Sequence, residues 1–168
     1  MEALIRIVTR FDQLLTRALK FLTVTLFIAL LAILSFNVVA RFLPFSPSLE
    51  WMDEIVELCI SSLVFYGAAA LWMVKGHFSA GNWIAKVTRD PRLISLYRVG
   101  VELVSLLFIG VFFRYSLQLV LKSQEVTAVF QIPKAVLYSS MPVSVGIMVL
   151  YSVGAVLVEL VGVFGRKR

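Results

Sequence analysis

The sequence predicts an all-α integral membrane protein. It should have four transmembrane helices and both termini in the cytoplasm, with an interfacial amphipathic helix at the N-terminus and a short interfacial helix between spans 2 and 3. Three observations carry this. Of 168 residues 60% are apolar and only 15% charged, against roughly 25% charged in an ordinary soluble domain. A chain this short has no interior large enough to hide so much apolar surface. Four runs are long enough to cross a bilayer, and basic residues collect on alternate sides of them.

The leader comes first. Leu4, Val8, Phe11, Leu15, Ala18 and Leu22 recur at three and four residues, while Arg6, Arg10, Asp12, Gln13 and Arg17 fall elsewhere. That pattern suits a helix lying on anionic lipid; a plain cytoplasmic extension of the first span fits it equally. The first span covers about residues 21–42, and its uncharged part, 21–40, is ~30 Å long as a helix. No small-residue cleavage site closes it, so a retained span is expected and not a secretion signal. The second span, about 54–74, starts among acids and carries no charge from 58 onward. In the following connector Asn82 is placed to cap a short helix with Trp83, Ile84 and Val87, ended by Asp90-Pro91. Trp83 suits headgroup depth. The third span, about 98–121, contains Glu102 and Arg114. The fourth, about 135–164, holds Pro142, whose missing N–H should kink it. The whole chain, 1–168, reads as one membrane domain.

Orientation follows from Lys and Arg. The leader, the connector between spans 2 and 3, and the tail hold twelve of the sixteen. Those segments share one side, which the positive-inside rule makes cytoplasmic. The same distribution explains the net charge of +6 without nucleic acid. The single Cys59 permits no intrachain disulfide and reads as a packed thiol.

Most chemistry is excluded. Paired haem ligands, a His/Cys metal site and a Ser-His-Asp triad all fail on one histidine, His77. A voltage sensor fails on one arginine in the third span. No acid, base and nucleophile converge, so neither an enzyme nor a cofactor site is expected. The midplane layers, with Leu30, Val64, Ile109 and Leu150, offer nothing to an ion or polar solute.

The densest feature is acidic. Glu50, Asp53, Glu54 and Glu57 are four of the ten carboxylates. On a helix Glu50, Glu54 and Glu57 share a face, with Asp53 beside them and Trp51 elsewhere. Arg41, four residues after Asn37, is the natural partner for Glu54 or Glu57. Arg114 sits at the depth of Glu57 and either pairs with it or snorkels to headgroups. Glu102 can pair with Arg98. Asp53, Glu54 and Glu57 read as packing or subunit-interface charges, and the shallower Glu50 as the candidate contact for an extramembrane partner. His77 reads as an interfacial hydrogen-bonding residue. Gly67-Ala68-Ala69 lets another helix approach closely.

The ordered string Arg41, Trp51-Met52-Asp53-Glu54, Gly67-Ala68-Ala69, Lys75-Gly76-His77-Phe78, then Ser123, Ile132-Pro133, Tyr138 and Met141-Pro142 resembles the small membrane (DctQ-like) subunit of tripartite ATP-independent periplasmic (TRAP) transporters. The likeness runs over about residues 37–146. Gly81 stands where the family often has an Asp, which leaves that acid's role in the connector without a counterpart. The resemblance implies a multi-pass protein of the bacterial inner membrane. Its partners would be a large Na⁺-coupled membrane subunit, a periplasmic solute-binding protein and membrane lipids. The small subunit would be a scaffold without a substrate or ion site. The alternative is a stand-alone membrane scaffold or a lipid-binding homo-oligomer.

Overall fold

The computed structural model describes residues 2–42, 50–74 and 91–165. Its helices are α1 (Glu2–Ala40), α2 (Glu50–Met73), α3 (Pro91–Lys122), α4 (Lys134–Tyr138) and α5 (Ser140–Gly165). Among the described residues the only pairing outside helices is an isolated bridge, Val126 to Pro133. Four segments are long and apolar enough to cross a membrane: Arg10–Ala40, Trp51–Met73, Leu96–Lys122 and Lys134–Leu157. The short helix expected around Trp83 lies outside the described residues.

The leader is not a separate helix. It continues into the first span as one helix of 39 residues, roughly 58 Å long and about twice the thickness of a hydrocarbon core. Nothing between Arg10 and Phe21 breaks it, because the sequence there has no Gly or Pro.

The helices form a row and not a closed bundle. Among the described residues α1 packs on α2, α2 on α5, and α5 on α3, while α1 makes no backbone approach to α3 or α5. Leu19 of α1 meets Ala69 and Ala70 of α2, and a Cβ on Gly67 would lie 3.4 Å from Thr23 Cγ2. Small residues on α2 thus set the closeness of the first pair. At the other junction Ile109 and Phe113 of α3 lie against Val145 and Met148 of α5. α2 and α3 make no backbone approach among the described residues, but Phe65 and Phe112 stack with centroids 6.2 Å apart.

Two polar contacts register α5 on α2. Trp72 Nε1 donates to Ser152 Oγ at 2.9 Å, and the Ser61 and Ser140 hydroxyls are 3.1 Å apart. A third links the far end of the row, where the Tyr151 hydroxyl donates to the Asp12 carboxylate of α1.

Where Pro142 is expected to kink the fourth span, α4 and α5 are separated by the single residue Ser139, which keeps helical dihedrals (φ −60°, ψ −27°). Without an N–H, Pro142 cannot bond the Tyr138 carbonyl, and its ring crowds that carbonyl. The chain therefore interrupts at Ser139, which leaves Pro142 in the first turn of α5, where its N–H would have no intrahelical acceptor. The Ser61 hydroxyl reaches the Leu137 carbonyl at 3.4 Å, and Ser139 Oγ bonds the Val136 carbonyl at 2.6 Å. In hydrocarbon such substitutes are what make a helix interruption tolerable.

At Gly146 of α5, α3 approaches closely. A Cβ there would stand 3.3 Å from Phe113 Cε2, whereas one on Gly154 meets nothing within 4 Å. Gly146→Leu should therefore destabilise the protein by about 1–3 kcal/mol through overpacking, and Gly154→Leu should be near neutral. Thermal unfolding of both variants in detergent checks this; equal midpoints would contradict it.

Candidate functional site

The acidic end of the row is built on the first two turns of α2. Glu54 does not meet an arginine there. Its carboxylate accepts from the backbone N–H of Val129 at 2.5 Å and of Phe130 at 3.2 Å. Both donors belong to the connector between α3 and α4. That segment is a small hairpin: Thr127 N donates to the Ile132 carbonyl at 2.8 Å and Lys134 N to the Glu125 carbonyl at 2.9 Å. Ile132 N finds Thr127 Oγ1 at 3.1 Å. Gln131 closes the turn with φ 54°, a left-handed conformation uncommon for a side chain other than Gly or Asn. Its amide bonds the Ala128 carbonyl at 3.0 Å and holds that geometry. Successive N–H groups at the tip then point one way, forming a concave donor set for an anion. Glu54 fills it.

The expected pairing of Glu54 with Arg41 is therefore corrected. Arg41 is exposed beyond the last turn of α1, and its Nε donates to Asn37 Oδ1 at 3.3 Å. The physical reason is local: the Asn37 amide is one turn back, and the Glu54 oxygens are already held by backbone donors.

Asp53 and Glu57 are exposed and line a groove of about 510 Å³ with Ile60, Val64, Phe65, Tyr138 and Met141. Lys134 is within electrostatic reach of Glu57 but bonds Glu125 at 2.8 Å. That ammonium holds the Glu125 carboxyl below the usual carboxylate range. The attraction is present at neutral pH and is lost as pH falls through the lowered value. With Glu125 73% exposed, it contributes little.

Arg114 is exposed and has no partner among the described residues. The pairing with Glu57 does not form, because the two side chains leave the row on different sides. Arg114 is two residues, about 200° of helix, from Phe112, whose ring stacks on the groove residue Phe65. Trp51 is 40% exposed in the first turn of α2. The Glu50 side chain, His77 and Trp83 lie outside the described residues. Glu102 is half-buried and Arg98 exposed.

Reasoning from residue types missed the contacts that hold this end together. Backbone N–H groups carry no residue identity, so nothing in the sequence marks Val129 and Phe130 as the partners of Glu54. Asp12 reads as one more polar residue of the leader, yet it bonds Tyr151. Among the described residues no group of three His, Cys, Asp or Glu is placed to hold a metal.

A sequence-family model for the DctQ component of tripartite ATP-independent periplasmic transporters matches residues 30–162. The chain belongs to this family. No curated protein matches the sequence. The matched stretch takes in Arg41, the acidic end of α2, Arg114 and the connector, and leaves out the leader with Asp12. This DctQ subunit is a transporter component and not an enzyme, and it is a multi-pass protein of the inner membrane.

The Glu54 contact gives a direct test. Glu54→Ala should speed amide exchange at Val129 and Phe130 on the order of tenfold, because two charge-assisted bonds are lost. Arg41→Ala should leave those amides unchanged. Hydrogen–deuterium exchange of a peptide spanning the connector reads both; equal protection in Glu54→Ala would refute the assignment.

Proposed function

We propose that this DctQ subunit is the fixed scaffold against which a large, Na⁺-coupled subunit carries solute, with a periplasmic binding protein delivering that solute. The observation that supports it most is the row of helices. A conduit needs helices closed around a polar interior, with broken helices or paired ionisable groups near the midplane. Here the central junctions are filled by Ala69, Ala70, Ile109, Val145 and Met148. A row also leaves two apolar faces open, and large residues such as Phe21, Ile28, Leu107 and Leu150 are 61–75% exposed. That area suits lipid on one side and a second membrane protein on the other.

The basic leader and tail put both termini in the cytoplasm, so the acidic end of α2 and the hairpin face the periplasm. Asp53 and Glu57 stand at that rim with Arg41, as charges available to the large subunit. Glu50 is the residue offered to the binding protein. Trp51 sits at headgroup depth, and His77 and Trp83 belong to the opposite, cytoplasmic connector.

Liposomes test the division of labour. Vesicles holding this chain alone should show no uptake of radioactive sodium, and vesicles holding it with its cognate large subunit should show uptake once the loaded binding protein is added. Sodium uptake by the small subunit alone would overturn the proposal. So would purification of the chain as a homo-oligomer that never retains the large subunit.

A further inference from the structure

We infer that the Arg114 side of α3 is the seat for a membrane helix of the large subunit, one that bears an aspartate or glutamate and packs across Gly110. The inference rests on the scaffold reading above and names the face that serves it.

Arg114 stands eight residues before Lys122, the last residue of α3, roughly 12 Å of helix from that end. Charged groups at such depth ordinarily face a bundle interior and pair there. Arg114 faces away from its own bundle. Ile109 is buried and Phe113 packs on the core cluster, whereas Arg114 is exposed and has no partner among the described residues. Among the acids described at this end none meets Arg114: Glu54 holds the connector, Glu125 pairs with Lys134, and Asp53 and Glu57 line the groove beside Phe65.

No described acid of this chain supplies the counter-charge, and the surface around Arg114 fits one brought by a partner. Gly110 is one turn away, and a Cβ built on it meets nothing within 4 Å. Leu103 and Leu107, on the same side of α3 in the turns before Gly110, are 48% and 72% exposed. An open glycine beside exposed leucines lets a second helix approach closely. A carboxylate on that helix can then pair with the guanidinium bidentately, out of water. A lipid phosphate is the other anion within reach of a bent-back arginine. It sits about two turns shallower than Arg114 and makes no use of the gap at Gly110.

The test co-expresses a tagged form of this chain with its cognate large subunit and measures how much of the latter is retained in detergent. Arg114→Lys should retain it near the wild-type ratio. Arg114→Leu should retain roughly tenfold less, and Gly110→Leu should lower retention as well. Arg114→Leu makes α3 more apolar, so membrane insertion is not at risk. A photo-crosslinking residue replacing Leu107 should capture the large subunit, and one replacing Phe108, on the Phe112 side, should not. Wild-type retention by Arg114→Leu, or capture from Phe108 and not Leu107, would overturn the inference and leave Arg114 to lipid phosphate. Failure of the wild-type chain to retain the large subunit would show before any variant is made. That result sinks the scaffold reading and this inference with it.

Discussion

Hydrocarbon supplies no hydrogen-bond partners, so every irregularity of the backbone at membrane depth has to be satisfied by the chain itself. In this protein Ser61 of α2, with Ser139 itself, meets that requirement at the interruption before α5, and Ser61 stands on a line of polar contacts along α2. Glu54, Ser61 and Trp72 are separated by seven and eleven residues, which keeps them within about 20° of one another around the helix. Glu54 holds the connector hairpin, Ser61 meets the interruption between α4 and α5, and Trp72 bonds Ser152 further down. The sequence offsets of the last two contacts are 79 and 80, so α2 and α5 run parallel in one register. Interhelical polar contacts in membranes average only ~0.6 kcal/mol. Their weight here is therefore in specificity. A slip of one residue would leave Ser61 and Trp72 without their partners in a medium that cannot replace them, and would part Glu54 from its hairpin at the exposed end.

The row follows from where small and polar residues are placed. α5 occupies the middle and is the most enclosed span; Ser144, Val145 and Ser152 are almost wholly buried. Its neighbours touch it through Gly146 on one side and Ser140 and Ser152 on the other. α1 has no comparable surface for a second neighbour. Leu19, Asn37 and Ala40 are its buried residues among those described, and Phe21, Phe27 and Ile28 remain exposed. In water such a surface would aggregate. In a bilayer it costs nothing until a better-packed partner displaces the lipid. The Asp12–Tyr151 contact reaches across α2 and fixes the angle of a helix that otherwise leans on one neighbour.

Much of this was legible in the sequence, and the reasons are physical. Span positions are legible because apolar run length maps directly onto bilayer thickness. The family is legible because its landmarks, from Arg41 to Pro142, keep their order relative to those spans. Pro142 announced a disturbed helix through its missing N–H, though the one-residue interruption at Ser139 and the Ser61 hydroxyl opposite it were not legible. The acids were legible as a group needing partners, but the partner of Glu54 was not. Residue types advertise side-chain cations such as Arg41, whereas a turn whose N–H groups converge depends on φ and ψ at Gln131. The row was not legible either. Helices that are apolar all round carry no periodic signal of which face meets which neighbour.

The acidic cluster shows what that distinction means for function. Its members share a helix end but separate by angle: Glu57 and Asp53 lie about 60° and 100° around α2 from Glu54. That rotation moves a carboxylate from the intramolecular line to the groove. Glu54 is thus consumed in holding the hairpin and cannot also serve a partner without releasing Val129 and Phe130. Asp53 and Glu57 are exposed and available. Arg114 supplies the opposite charge on the other side of the row. A single layer of helices with Asp53 and Glu57 on one face and Arg114 on the other is not interchangeable front to back. A partner with a carboxylate at the depth of Arg114 can seat on only one of them, and the fixed register of α2 on α5 is what keeps the two faces apart.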